Sequence, residues 1–179
     1  MTNNNGARPQ SNPAAAYSLN FVMQPKEQTY WGWAAIAASL KQFYEPSATL
    51  TQCELASTAF GINCCTDGES PECNQSAKME DILASQGLLQ ETVNSALTLP
   101  ELISLLYAAQ PVVVEIVSSD GQTMIPLVIF GYNNENPAEA TITIADPFGG
   151  MISVVLFSQF PGNYIEGFYW NQTFITKGS

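Results

Sequence analysis

Pro111 divides the chain into two kinds of hydrophobic pattern, and that division restricts the fold more than any other feature. Before it, apolar residues recur at steps of three and four. Trp33, Ile36, Ala37, Leu40, Phe43 and Tyr44 trace a helix with a buried face, bounded by Gly32 and by Glu45-Pro46, and its alanines predict close packing on both sides. Thr51 stands three residues before Glu54, the spacing of a capping box, and predicts a second helix through Leu55, Ala59 and Phe60 to about Gly61. Two more helices are expected over 78–86 and 99–109, the latter opened by Thr98-Leu-Pro-Glu101 with proline in its first turn. After Pro111 the pattern is β-rich: runs at 112–117, 125–130, 141–145, 151–157 and 168–175 are separated by Ser-Asp-Gly, Asn-Asn-Glu-Asn-Pro and Pro-Phe-Gly-Gly turns. Helices first and strands second predict an α+β domain rather than alternating βαβ units.

At 179 residues with 46% apolar composition, the chain suits one domain with a self-sufficient core. Residues 1–17, rich in Asn, Pro and Ala, read as a flexible lead-in, and 18–179 as the domain: a helical half over about 18–110 and a β half over about 111–179. The first residues lack the basic start and apolar centre of a secretion signal. The longest apolar runs fall short of the roughly 20 residues that cross a bilayer. A formal net charge of -11 has the wrong sign for phosphate backbones or anionic lipid, so neither nucleic acid nor a membrane surface is expected as a partner. Oligomeric state is not legible.

The chain contains no histidine. Imidazole is the usual general base near neutral pH and the usual partner of a Ser or Cys nucleophile. Any Ser-His-Asp or Cys-His mechanism within this chain is therefore excluded, as is a His-based metal site. No cofactor is implied.

Cys53, Cys64, Cys65 and Cys73 cluster around the turn-rich stretch Asn63 to Asn74. Vicinal Cys64 and Cys65 lack the two-residue gap typical of paired zinc ligands, which favours disulfides over metal and points to a secreted or periplasmic protein. Adjacent cysteines strain the peptide between them when they bridge each other. Two pairings remain open: 53–64 with 65–73, or 53–65 with 64–73.

The string Trp31-Gly-Trp-Ala-Ala35 resembles the W-C-W-A-A nucleophile helix of bacterial papain-like cysteine proteases, the group allied to bacteriocin leader peptidases and to a plant-pathogen effector protease. Thr51-Gln-Cys53, Asn63-Cys-Cys65 and Cys73-Asn74 resemble that family's T-Q-C, D-C-C and C-N elements. Val128-Ile-Phe-Gly-Tyr132 and Asp146-Pro147 are similar to its H-x5-G-Y strand and the D-P that follows. The resemblance covers about residues 21 to 175 and implies a papain-like fold: the nucleophile helix of the N-terminal half packed on a C-terminal antiparallel sheet or half-barrel.

It also implies a site whose reactive groups are replaced. Gly32 stands at the nucleophile position, where a helix N-terminus and an imidazolium lower a thiol pKa. Ile125 stands at the position of the histidine, and Asp146 at that of the residue which orients it. Counting six residues back from Gly32 reaches Lys26 where the oxyanion-hole glutamine is expected, with Gln28 close enough to take that place by a small shift. Gly32 alone would suit an engineered knockout; Ile125 beside it points to natural loss. Asp146 also has a plain reading as a turn-former before Pro147. Trp33 reads as core, whereas Trp31, with Tyr30, reads as lining the former substrate groove.

Three functions follow as expectations. The leading one is a papain-like pseudoprotease that binds an unidentified peptide, protein or small ligand in the groove at Gln28, Tyr30, Trp31, Gly32, Ile125 and Asp146. The second is an enzyme with rebuilt chemistry at the same groove, drawing on Lys26, Tyr30 or Asp146. The third is surface binding through an acidic shell.

Overall fold

The computed structural model describes residues 13–178. Strand β1 (Ala16–Ser18) is followed by helices α1 (Gly32–Tyr44), α2 (Gln52–Phe60) and α3 (Met79–Ser85), strand β2 (Leu89–Val93) and helix α4 (Leu99–Tyr107). Strands β3 (Val112–Ser118), β4 (Met124–Asn133), β5 (Thr141–Asp146), β6 (Met151–Leu156) and β7 (Phe168–Thr176) complete the chain. This is the α+β arrangement expected from the change of period at Pro111.

Helices α2 and α4 start at capping boxes. Thr51 Oγ1 accepts from the Glu54 N–H at 3.3 Å while the Thr51 N–H donates to Glu54 Oε2 at 2.9 Å, a complete capping box, and Gly61 closes α2 in the left-handed conformation (φ 70°). At α4 the Thr98 N–H and Oγ1 both donate to Glu101 Oε2, at 2.8 and 2.7 Å. Helix α1 has no such cap: Trp31 precedes it, and burial holds it instead. Every residue from Trp33 to Leu40 is buried, because Ala34, Ala35, Ala37 and Ala38 let neighbouring elements approach closely on several sides. Buried Ser39 is satisfied by donating to Ala35 O and accepting from the Gln24 N–H.

The sheet is antiparallel throughout, in the order β2-β7-β3-β4-β5-β6, with β1 paired to β4. β3 pairs with β4 as far as Val112↔Ile129, and β1 takes over that flank at Ser18↔Gly131. The sheet thus includes Ala16 and Tyr17, which the sequence had assigned to the lead-in; residues 1–12 lie outside the described residues. Strand β2, inside the stretch read as helical, was not foreseen: Leu-Gln-Glu-Thr-Val is too polar and short to stand out, and it pairs with β7 at the sheet edge. The last strand, β7, sits between β2 and β3.

One apolar cluster joins the helices to the sheet. Ile36, Leu40, Leu83, Leu102 and Leu106 meet Val112, Val114, Ile116, Leu127, Ile129, Ile142 and Phe174, all buried. The N-terminus of α1 is thereby held against β4 and the end of β5.

Candidate functional site

A cleft of about 590 Å³ opens where α1 begins. Its walls come from the segment before α1 (Lys26, Thr29, Tyr30), from Gly32 and Trp33, from Ser76 and Ala77 ahead of α3 and Met79 at its start, and from Glu115 of β3. Met124, Ile125 and Pro126 of β4, the turn from Asp146 to Met151, and Tyr164 and Ile165 close it from the sheet side. Of the residues expected in the groove, Tyr30, Gly32, Ile125, Asp146 and Lys26 all meet here.

Gly32 is part of its wall. A Cβ placed on it would touch Pro147 Cγ at 3.5 Å and Pro126 Cγ at 3.6 Å, ordinary van der Waals separations. The side chain of β4 that reaches nearest to Gly32 is thus Pro126, one residue beyond Ile125.

Two expected residues are elsewhere, and both are corrections. Trp31 does not line the cleft: it is buried, with 1% of its surface exposed, and its Nε1 donates to Cys73 O at 2.8 Å. The physical reason is the cysteine loop, which covers it. Gly68 passes so close that a Cβ there would stand 2.9 Å from Trp31 Cη2 and 3.0 Å from Gln28 Nε2. Gln28 therefore sits beneath the same loop and outside the cleft walls. Lys26, not Gln28, faces the opening. Trp33 is buried as expected, yet it also forms part of the cleft wall.

The four cysteines explain how the loop is held. Cys53 bridges Cys65 and Cys64 bridges Cys73, the second of the two pairings left open, and this uses every thiol of the chain. The loop end is then fastened to the head of α1 by three hydrogen bonds: the Tyr30 N–H to Asn74 Oδ1, Trp31 Nε1 to Cys73 O, and Trp33 Nε1 to Gln75 O. Gln52, between the cap Thr51 and the bridged Cys53, is buried and clamps the segment before α1 by donating to Pro25 O at 2.8 Å and accepting from the Glu27 N–H at 2.9 Å. Each residue of Thr51-Gln52-Cys53 thus has a separate structural task.

Both oxygens of Asp146 are engaged. Its Oδ1 accepts from the Phe148 N–H at 2.6 Å, the turn role anticipated from Asp-Pro, and its Oδ2 accepts from the Tyr164 hydroxyl. Burial, followed by the contact with Asp146, pushes the Tyr164 phenol well above its ordinary range. Lys26 donates its N–H to Pro147 O and its Nζ to Thr29 O at 2.7 Å, and the ammonium stands 5.3 Å from the centre of the exposed Phe148 ring.

Glu115 escaped the sequence reading. It is the lone charge in Val-Val-Val-Glu-Ile-Val-Ser, half-buried, and desolvation raises its carboxyl above the usual range while a hydrogen bond from Asn171 opposes the rise. Its signal was the charge itself, in a strand otherwise written for burial.

The family profile described as papain-like cysteine protease AvrRpt2 matches residues 13–164. The chain belongs to that family. Among solved structures, it is similar to the peptidase domain of Streptococcus ComA, a bi-functional ABC transporter involved in a quorum-sensing pathway, at a TM-score of 0.54 and 12% identity over 89% of this chain and 99% of that one. That likeness is one of fold. No curated protein matches.

Proposed function

We propose that this member of the papain-like family is a binding protein that holds a ligand in the cleft without cutting it. The observation that carries this reading is the head of α1: Gly32 supplies no nucleophile, the chain has no imidazole, and its four thiols are consumed in disulfides, none of them on the cleft wall. The cleft itself is retained, with walls contributed by both halves of the fold. Gly32 and Pro126 make the wall between α1 and β4 apolar, which suits an extended peptide, a protein segment or a small apolar-bodied ligand. Two disulfides suit an oxidising compartment, which supports a secreted or periplasmic site of action.

Rebuilt chemistry at the same cleft is the weaker reading. Both oxygens of Asp146 are engaged by Phe148 and Tyr164, and Lys26 is tied to a backbone carbonyl, so neither is poised as a base.

A display library of random linear peptides, selected on the native protein and on Gly32→Phe and Met124→Asp variants, tests the proposal. Gly32→Phe fills the cleft and Met124→Asp puts a negative charge on its apolar wall at an exposed position, and each is first checked for an unchanged fold by circular dichroism. Peptides enriched on the native protein, lost on the variants and recovered intact by mass spectrometry are the expected result. Equal enrichment on all three places binding elsewhere, and recovery of cleaved peptides shows an enzyme.

A further inference from the structure

Glu115 sits where the sheet is interrupted on both sides. Toward β4 it pairs with Pro126, which has no N–H to give the ladder. Toward β7 the register shifts between Glu115 and Ile116: Glu115 is opposite Gln172, Ile116 is opposite Trp170, and Asn171 is the extra residue of a bulge. Bulges of this kind re-aim side chains beside functional sites. Val113 and Val117 share the face of Glu115 by strand alternation and are buried, yet Glu115 lines the cleft and is half-buried.

The carboxylate is poorly satisfied for such a position. It accepts from Asn171 Nδ2 at a long 3.4 Å, and among the described residues it has no salt-bridge partner. Burial holds its carboxyl above the normal range, the mark of a negative charge lacking a countercharge. Lys26, the cation on the cleft wall, is engaged with Thr29 O and the Phe148 ring.

We propose that Glu115 determines the specificity of the cleft, and that the ligand is an extended peptide whose lysine or arginine side chain pairs with this carboxylate while the apolar walls hold its neighbours. The proposal rests on the cleft-binding reading above and names the ligand class. A guanidinium or ammonium brings several N–H donors to an acceptor that now has one weak partner, and the apolar surroundings strengthen the pair. The strongly acidic chain favours the approach of a cationic segment. The alternative is that Glu115 merely steadies the bulge through Asn171. Glu115→Gln separates the two, because a glutamine oxygen still accepts from Asn171 while the charge is gone.

Random linear peptides are selected on the native protein, on Glu115→Gln, on Glu115→Lys and on the cleft-obstructed Gly32→Phe. Winning peptides are then synthesised with each arginine replaced by citrulline, or lysine by norleucine, and measured by calorimetry. On the native protein one basic position is expected to be fixed, its neutral replacement weakening binding by about tenfold or more. On Glu115→Gln that penalty disappears, and on Glu115→Lys an acidic residue is preferred there. Peptides that bind in the cleft with no basic preference, or with the same penalty on Glu115→Gln, overturn this inference and leave cleft binding standing. No enrichment over Gly32→Phe overturns cleft binding, and this inference with it.

Discussion

Gly32 occupies the first position of α1 with helical backbone, and the space beside it is open to a methyl group at ordinary contact with two prolines. Gly32→Ala is therefore expected to stabilise the protein, by about 0.4–1 kcal/mol, chiefly by restricting the unfolded chain. Urea unfolding checks this; a loss of stability would show that Pro126 and Pro147 close more tightly on the position than their 3.6 and 3.5 Å separations allow. Gly32, Ile125 and Asp146 were legible because each stands in an ordered motif. Glu115 was not, since a single charge in a strand run reads as one exposed position until the Pro126 pairing and the bulge at Asn171 set it beside the cleft. Trp31 was misplaced for a related reason: the partner that buries it, Cys73, lies 42 residues away, brought there by a disulfide whose pairing spacing left undecided.

The disulfide loop is the element that fastens the head of α1, just ahead of the wall residues Ser76 and Ala77. Removing its second bridge with Cys64→Ser and Cys73→Ser is expected to destabilise the protein by about 2–4 kcal/mol and to release the loop end from the head of α1. The indole N–H groups of Trp31 and Trp33, which donate to Cys73 O and Gln75 O, then exchange faster with solvent. Unfolding by denaturant and hydrogen exchange followed by NMR measure the two effects. If the indole protons stay protected without the bridge, packing beneath Gly68 rather than the crosslink positions the loop. At this scale the sequence was informative wherever local chemistry decides the element: the capping residues Thr51 and Thr98 and Gly61 marked their helix ends. It was silent where tertiary pairing decides. Strands β1 and β2 exist because β4 and β7 offer them free flanks, and three residues of Ala-Tyr-Ser or five of Leu-Gln-Glu-Thr-Val carry no pattern that says so.

Across the whole molecule, charge sets a bound on the pH at which the fold persists. Burial raises the phenols of Tyr44, Tyr132 and Tyr164, the last with a further rise from the hydroxyl's bond to Asp146. Each folded phenol holds its proton to a higher pH than the unfolded side chain, whose pKa is about 10. The stability these groups contribute is fully present below about pH 10 and is lost as pH rises through the folded values, because unfolding then releases protons that the native state retains. The three residues tie distant parts of the chain together: Tyr44 pairs with Thr176, Tyr132 donates to Ala14 O beside β1, and Tyr164 holds the turn after β5 that borders the cleft. Denaturant midpoints are expected to fall steeply above about pH 10, and Tyr164→Phe is expected to lower stability at neutral pH while flattening that fall. The net charge of -11 adds repulsion in the same alkaline direction, but added salt weakens repulsion and leaves the phenol linkage largely in place. A fall abolished by salt and unchanged in Tyr164→Phe would assign the alkaline limit to charge repulsion alone.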